Sequence, residues 1–318
     1  MIKTPFINLR TDFGFKRLFA SEKRKHILIR FLNALLGDVM TVTDVELRNS
    51  EHQPDTPDGK RIIYDVFFKS DIKIGDAHDP WMERHRKFAK ALKLEYGDSI
   101  SHHFILEMQN LNQPPFEERL LFYSAREISG QGRAGGAYLF NPVVTIAITN
   151  FNFAHLKPAL KHDFRLSDSK TGEVLTEKLR ILLLSLVEVK DWDECETELE
   201  RMLFLIKNMD KMDKESKAYK CRAYDEVFEA ADSNMLACED TVAYERDLRK
   251  LEEMNAGALY AAVVAREEGR EEGREEGIEI GSNKIIRQFY AGGFSCETIA
   301  DTLCLPLSEI KRILGVQV

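Results

Sequence analysis

Two acids and an amide in this chain stand where apolar side chains would be expected. Glu107 and Gln109 lie two apart in the run Phe104-Ile105-Leu106-Glu107-Met108-Gln109-Asn110, and Asp65 interrupts Arg61-Ile62-Ile63-Tyr64-Asp65-Val66-Phe67-Phe68. Both runs read as β-strands. Side chains alternate between the faces of a strand, so Ile105, Glu107 and Gln109 share one face while Phe104, Leu106 and Met108 share the other. Ile63, Asp65 and Phe67 form a matching set. A buried carboxylate must meet a cation, a donor or water, because burying it alone is very costly. Two acids on two apolar strands, with a polar group two residues after the second, make an oxygen-rich site of the kind a divalent cation prefers.

Other polar residues cluster around these in the sequence. Asp12 and Lys16, in Leu9-Arg10-Thr11-Asp12-Phe13-Gly14-Phe15-Lys16-Arg17-Leu18-Phe19, are four apart and share a helical face behind an N-cap at Thr11 or Asp12. They form either a surface ion pair or part of the site. Residues 81–93 read as a helix carrying Arg84, Arg86, Lys87, Lys90 and Lys93. That run is either a solvated face or a phosphate-binding edge. His102 and His103 precede the Glu107 strand, as surface residues or as metal ligands. After Pro114-Pro115, residues 116–128 show helical spacing at Leu120, Tyr123 and Glu127, with Arg119 and Arg126 beside them. Gly130, Gly132, Gly135 and Gly136 lack the order of a nucleotide-binding loop.

The elements that position these residues follow from periodicity. Helices are expected around Phe15, Leu18 and Phe19 and around Ile27, Phe31, Leu32 and Leu35, the second stopped by Gly37. A strand over 41–50, the Asp65 strand, the Glu107 strand, the helix from 116 and a doubly buried strand over 142–149 come next. From Thr176 the chain reads as helical, over 179–187, 199–206, 219–236 and 241–259. A four-residue repeat, Arg-Glu-Glu-Gly from Arg266, then sets glycines at 269, 273, 277 and 281. It reads as a solvated linker helix, or as a close-approach stripe for a partner helix. Three short helices close the chain, with Ser295 and Ser308 as N-caps and Ile299, Ala300, Leu303, Ile310 and Ile313 inward, in the manner of a helix-turn-helix.

Composition limits the functional classes. The 318 residues suit two domains and an appendage, and 44% hydrophobic content supports a substantial core. A formal net charge of −8 excludes a chain-wide basic coat but not a local basic patch. Five cysteines without CxxC spacing argue against zinc and disulfides and for a reducing cytosol. Neither an apolar signal core nor a membrane-length apolar run is expected.

The opening motif Thr11 to Phe19, then Tyr64-Asp65-Val66, Leu106-Glu107-Met108-Gln109 and the helix from Arg119 to Tyr123, resemble the recombination-promoting nuclease and transposase family of the PD-(D/E)XK nuclease superfamily. The ordered set, over residues 9–153, carries the resemblance; the charged repeat and helical tail match more loosely. It implies an α/β restriction-endonuclease-like core, a mixed sheet flanked by helices, followed by an α-helical C-terminal region. The expected segments are 1–170 for the core, with an insertion at 72–101, then 171–260 helical, then 261–318 for the repeat and trihelical tail. The implied activity is Mg²⁺- or Mn²⁺-dependent endonucleolytic cleavage of DNA, linked to recombination or transposition, in the cytoplasm. Asp65, Glu107 and Gln109 are the implied catalytic residues, with Asp12, Lys16, Arg119 and Tyr123 as additional candidates. Asp65, Glu107 and the Met108 backbone carbonyl would hold the metal. Arg84, Arg86, Lys87 and Lys90 would bind DNA, and the helical tail would support a homo-oligomer. Gln109 departs from the superfamily's commoner lysine; it can orient a water but cannot neutralise charge. Slower cleavage, or reliance on Lys16 or a second metal, is therefore expected. The alternative is a non-catalytic DNA-binding or assembly protein that retains the fold.

Overall fold

The computed structural model describes residues 4–52, 62–73, 99–132 and 140–316. The chain divides into two compact units, 1–254 and 255–318. The first contains a six-stranded mixed sheet. Its strands are β1 (Glu46–Arg48), β4 (Val66–Lys73), β5 (Ser99–Gln109), β6 (Val143–Thr149), β8 (Val174–Ser185) and β7 (Lys161–Ser167), in the spatial order β1-β4-β5-β6-β8-β7. A two-stranded ribbon pairs β2 (Glu51–His52) with β3 (Ile62–Ile63). β5, β6 and β8 run parallel, while β4 and β7 pair antiparallel with their neighbours.

Alternation along the strands sorts side chains to two faces. One face carries Val66, Phe68, Phe104, Leu106, Val144, Ile146, Ile148, Leu182 and Leu184. Helices α1 (Asp12–Phe19), α2 (Lys25–Leu36), α4 (Glu198–Asn208) and α5 (Asp225–Ala231) cover it through Phe15, Phe31, Leu203 and Phe228, among others. Each large apolar side chain fully buried here contributes roughly 1.5–3 kcal/mol. The other face carries Phe67, Ile105, Ala147 and Leu183 and is covered by α3 (Phe116–Ser129) through Phe116, Leu120 and Tyr123. β6 is buried along its whole length, as expected of a central strand.

Three expectations about the sheet and the helices that follow it need correction. The run 179–187 is not helical: it belongs to β8, whose Leu182 and Leu184 enter one core and Leu183 the other. A short apolar run fits a helix and a doubly buried strand equally well by periodicity, and its place between β6 and β7 decides for strand. The sheet thus extends past residue 170, and the next α-helix starts at Glu198. The Asp65 strand is also not continuous, because β3 ends at Ile63 and β4 begins at Val66. Finally, the helices expected after 219 resolve into short α5 and a 54-residue helix α6 (Cys238–Ala291), within which the division at 254 falls.

In the second unit, the end of α6, α7 (Cys296–Leu303) and α8 (Leu307–Leu314) pack around Ile286, Ile299, Ala300 and Ile310, with Leu303 and Ile313 at the margin. Ser295 caps α7 by accepting from the Thr298 N–H. Ser308 is not a cap: α8 starts one residue earlier, behind Pro306. The repeat glycines are helical, and each faces open space. Among the described residues, no helix is long and apolar enough to cross a membrane.

Candidate active site

The break between β3 and β4 leaves backbone groups of the Asp65 region without ladder partners, and side chains supply them. The register pairs Val66 with Leu106, so Asp65 falls alongside Glu107. Glu107 Oε1 accepts from the Asp65 N–H at 3.1 Å, and Asp65 Oδ2 accepts from the Met108 N–H at 2.7 Å. This reciprocal pair brings the two carboxyl groups together. The remaining oxygens, Asp65 Oδ1 and Glu107 Oε2, receive no hydrogen bond from a described residue.

Electrostatics show what this arrangement costs. Glu107 is buried and Asp65 half-buried, and neither forms an ion pair with a described cation. Burial pushes the Asp65 carboxyl up to about 6, against the opposing Met108 hydrogen bond. Burial first, then the Asp65 charge, pushes Glu107 well above the usual carboxylate range. Two acids that resist joint ionisation are poised to gain from a cation.

Helix α3 supplies the facing wall. Its residues 119, 123 and 127 recur every four positions and point at β5. Arg119 Nη2 donates to Gln109 Oε1 at 2.5 Å, and Glu127 Oε1 meets His103 Nδ1 at 2.6 Å. Tyr123 lies between, its ring 5.0 Å from that of Tyr64. Its hydroxyl is pushed up to about 12 by burial and then by Glu107. The Arg119 guanidinium stacks on Phe116 at 4.8 Å. Gln109 Nε2 donates to the Leu111 carbonyl at 2.8 Å. Both ends of the Gln109 amide are therefore engaged with protein, each through one hydrogen bond, which leaves one N–H and one lone pair of the amide.

Asp12 and Lys16 flank the same site. Thr11 caps α1 by accepting from the Gly14 N–H, and Lys16 Nζ lies 2.8 Å from Asp12 Oδ1. Both act on Asp65, the Asp12 charge raising its carboxyl and Lys16 lowering it. Gly14 is required for close approach, since a Cβ there would collide with the Asn8 carbonyl oxygen. A cleft of about 210 Å³ opens beside them, bordered by Arg10, Asp12, Asp65, Gln109, Asp247 and Lys250. Sequence reasoning missed the residues that hold its rim. The Asn8 N–H donates to the Tyr244 hydroxyl at 2.8 Å, Asn8 Nδ2 to Asp210 at 3.1 Å, and the Phe13 N–H to Asp247 at 3.0 Å.

Other expected site residues are placed differently. His102 and His103 are buried rather than at the surface, and His103 is held by Glu127. The basic run Arg84, Arg86, Lys87 and Lys90 lies outside the described residues. Among the described residues, no group of three or more His, Cys, Asp or Glu side chains is arranged to hold a metal. The two free carboxylate oxygens nonetheless fit a hard cation of the Mg²⁺ type, which binds through one or two carboxylates and keeps several waters.

Fold and site together define a sheet-borne pair of acids in a mixed α/β core, the arrangement of a restriction-endonuclease-like fold. A family model described as PD-(D/E)XK nuclease family transposase matches residues 9–75 and 85–261, and the chain belongs to that family. The match includes Asp12, Asp65, Glu107, Gln109, Arg119 and Tyr123 and ends within α6. No curated protein and no solved structure matches the chain.

Proposed function

We propose that the chain is a metal-dependent endonuclease that hydrolyses phosphodiester bonds in DNA, in a role tied to recombination or transposition. The observation that supports this best is the crossed pair of Asp65 and Glu107. A buried and a half-buried carboxyl group, each with one oxygen held by backbone and one free, sit together without a contacting cation among the described residues. On this reading Asp65, Glu107 and the Met108 carbonyl hold Mg²⁺ or Mn²⁺. When bound, such an ion acidifies a coordinated water and stabilises charge on a phosphate. The backbone bonds fix both acids before substrate arrives, so little reorganisation is needed. Tyr123 and Tyr64 close the α3 side with aromatic surface, and Asp12 borders the cleft on the other with Lys16 paired to it. The run Arg84, Arg86, Lys87 and Lys90 is assigned to phosphate contacts, and the helical tail to self-association.

A second reading, a DNA-binding protein without catalysis, gains support from Gln109, which is neutral and already bonded at both ends. Incubation with supercoiled plasmid separates the two. Nicking with Mn²⁺ that is lost in EDTA and in Glu107→Gln is expected of a nuclease; DNA binding without nicking at high protein concentration leaves only the second.

A further inference from the structure

Arg119 makes no contacting ion pair with a described acid, although its charge lowers the carboxyls of both Asp65 and Glu107. Its only hydrogen bond to a described residue goes to the neutral amide of Gln109. Its Nε is buried and has no hydrogen-bond partner among the described residues. The guanidinium is nonetheless held in place, stacked on the Phe116 ring on one side and bonded to Gln109 on the other. Gln109 in turn is tethered through Nε2 to the Leu111 carbonyl. A half-buried guanidinium fixed by two neutral contacts keeps its charge and leaves Nη1 and the second N–H of Nη2 to donate, an edge that matches a phosphate. Lys16, another cation whose charge acts on the acids, is already paired with Asp12.

We propose that Arg119 binds the phosphate of the nucleic-acid substrate, and that Gln109 is the positioning residue that aims it. This rests on the phosphodiesterase reading of the same site. It accounts for an amide at position 109: a carboxylate there would hold the guanidinium but cancel its charge, and an apolar residue would leave it unaimed. Arg119 reaches the site from α3 while the acids reach it from the sheet, so a phosphate between them would meet the guanidinium from one side and the carboxylate-bound ion from the other.

The test uses the full-length chain and three variants, Arg119→Gln, Arg119→Lys and Gln109→Glu. Binding of a short fluorescein-labelled DNA duplex is followed by anisotropy across salt concentrations, with Ca²⁺ present to occupy the oxygen ligands. Nicking is followed with Mn²⁺, and Mn²⁺ affinity by calorimetry. Arg119→Gln should lower the salt slope by about 0.9, the loss of one phosphate contact. Its nicking rate should fall about 100- to 1,000-fold, as when a preorganised charge-stabilising donor is removed. Its Mn²⁺ affinity should stay within a few-fold. Arg119→Lys should keep the salt slope and recover part of the rate. Gln109→Glu should behave like Arg119→Gln although Arg119 is still present. An unchanged salt slope in Arg119→Gln, a wild-type rate in Gln109→Glu, or a collapse of Mn²⁺ affinity in Arg119→Gln would each overturn the proposal. A wild-type chain that never nicks, yet shows the drop in salt slope, defeats the hydrolytic reading and leaves Arg119 as a phosphate-binding residue.

Discussion

Replacing Asp65 with asparagine should stabilise the metal-free protein, although the residue is part of the proposed site. Asparagine keeps an oxygen for the Met108 N–H, which Asp65 Oδ2 now accepts at 2.7 Å. What it removes is a charge the fold disfavours. The Asp65 carboxyl rises from 3.8 to about 6 on folding, and each unit corresponds to about 1.4 kcal/mol, so its ionisation opposes folding by at most about 3 kcal/mol. The sign follows from proton binding. Between the unfolded and folded values the native state holds the proton more tightly, so stability falls as pH rises through about 4 to 6. The advantage of Asp65→Asn should therefore vanish near pH 4 and be complete above pH 7. In a unit of this size about 1 kcal/mol moves the melting midpoint by roughly 2–4 °C, so a rise of several degrees is expected at pH 8. Asp65→Ala should lie below Asp65→Asn by about 1–3 kcal/mol, because it orphans the Met108 N–H. Thermal unfolding in EDTA from pH 4 to 8 is the assay. An Asp65→Asn variant several kcal/mol less stable than wild type at pH 8 would mean that the acid is held by a buried basic partner, and the reasoning fails.

Gly14→Ala should destabilise the first unit by about 1–3 kcal/mol, since the Asn8 carbonyl must shift to admit a Cβ; an unchanged melting midpoint would refute that packing. Joint replacement of Arg86, Lys87 and Lys90 by glutamine should weaken DNA binding and flatten its salt dependence, and an unaltered salt slope would mark the run as a solvated face. Deleting the chain from Arg266 should leave the first unit folded and able to bind Mn²⁺, and light scattering should report a smaller assembly; the same assembly with and without the tail would end the self-association proposal.

The sheet face of the site was legible because strand alternation is strict. Once residues 104–110 form a strand, Glu107 and Gln109 must share a face with Ile105, and they do. The caps at Thr11 and Ser295 were legible for a similar reason, since a hydroxyl before an apolar-periodic segment satisfies a free N–H. Residues 62–68 hid their break, because Ile62 to Phe68 is apolar on both sides of Asp65 and nothing local signals the crossed hydrogen bonds that replace the ladder. The leucine run of β8 carried no period that distinguishes helix from doubly buried strand. The contacts of Asn8 and Phe13 with Tyr244, Asp210 and Asp247 join segments about 200 residues apart, and the bond between Arg119 and Gln109 joins a helix to a strand. No spacing rule reaches across such distances.

The central claim is that Asp65 and Glu107 together hold a divalent cation. Titration of the metal-free full-length chain with Mn²⁺, followed by calorimetry, tests it most directly. The account predicts saturable binding in wild type, accompanied by proton release near pH 6, because burial holds protons on the acids that the cation displaces. Asp65→Asn and Glu107→Gln should each abolish that binding while remaining folded. Mn²⁺ binding of unchanged affinity in both variants, or none in folded wild-type protein, would contradict it.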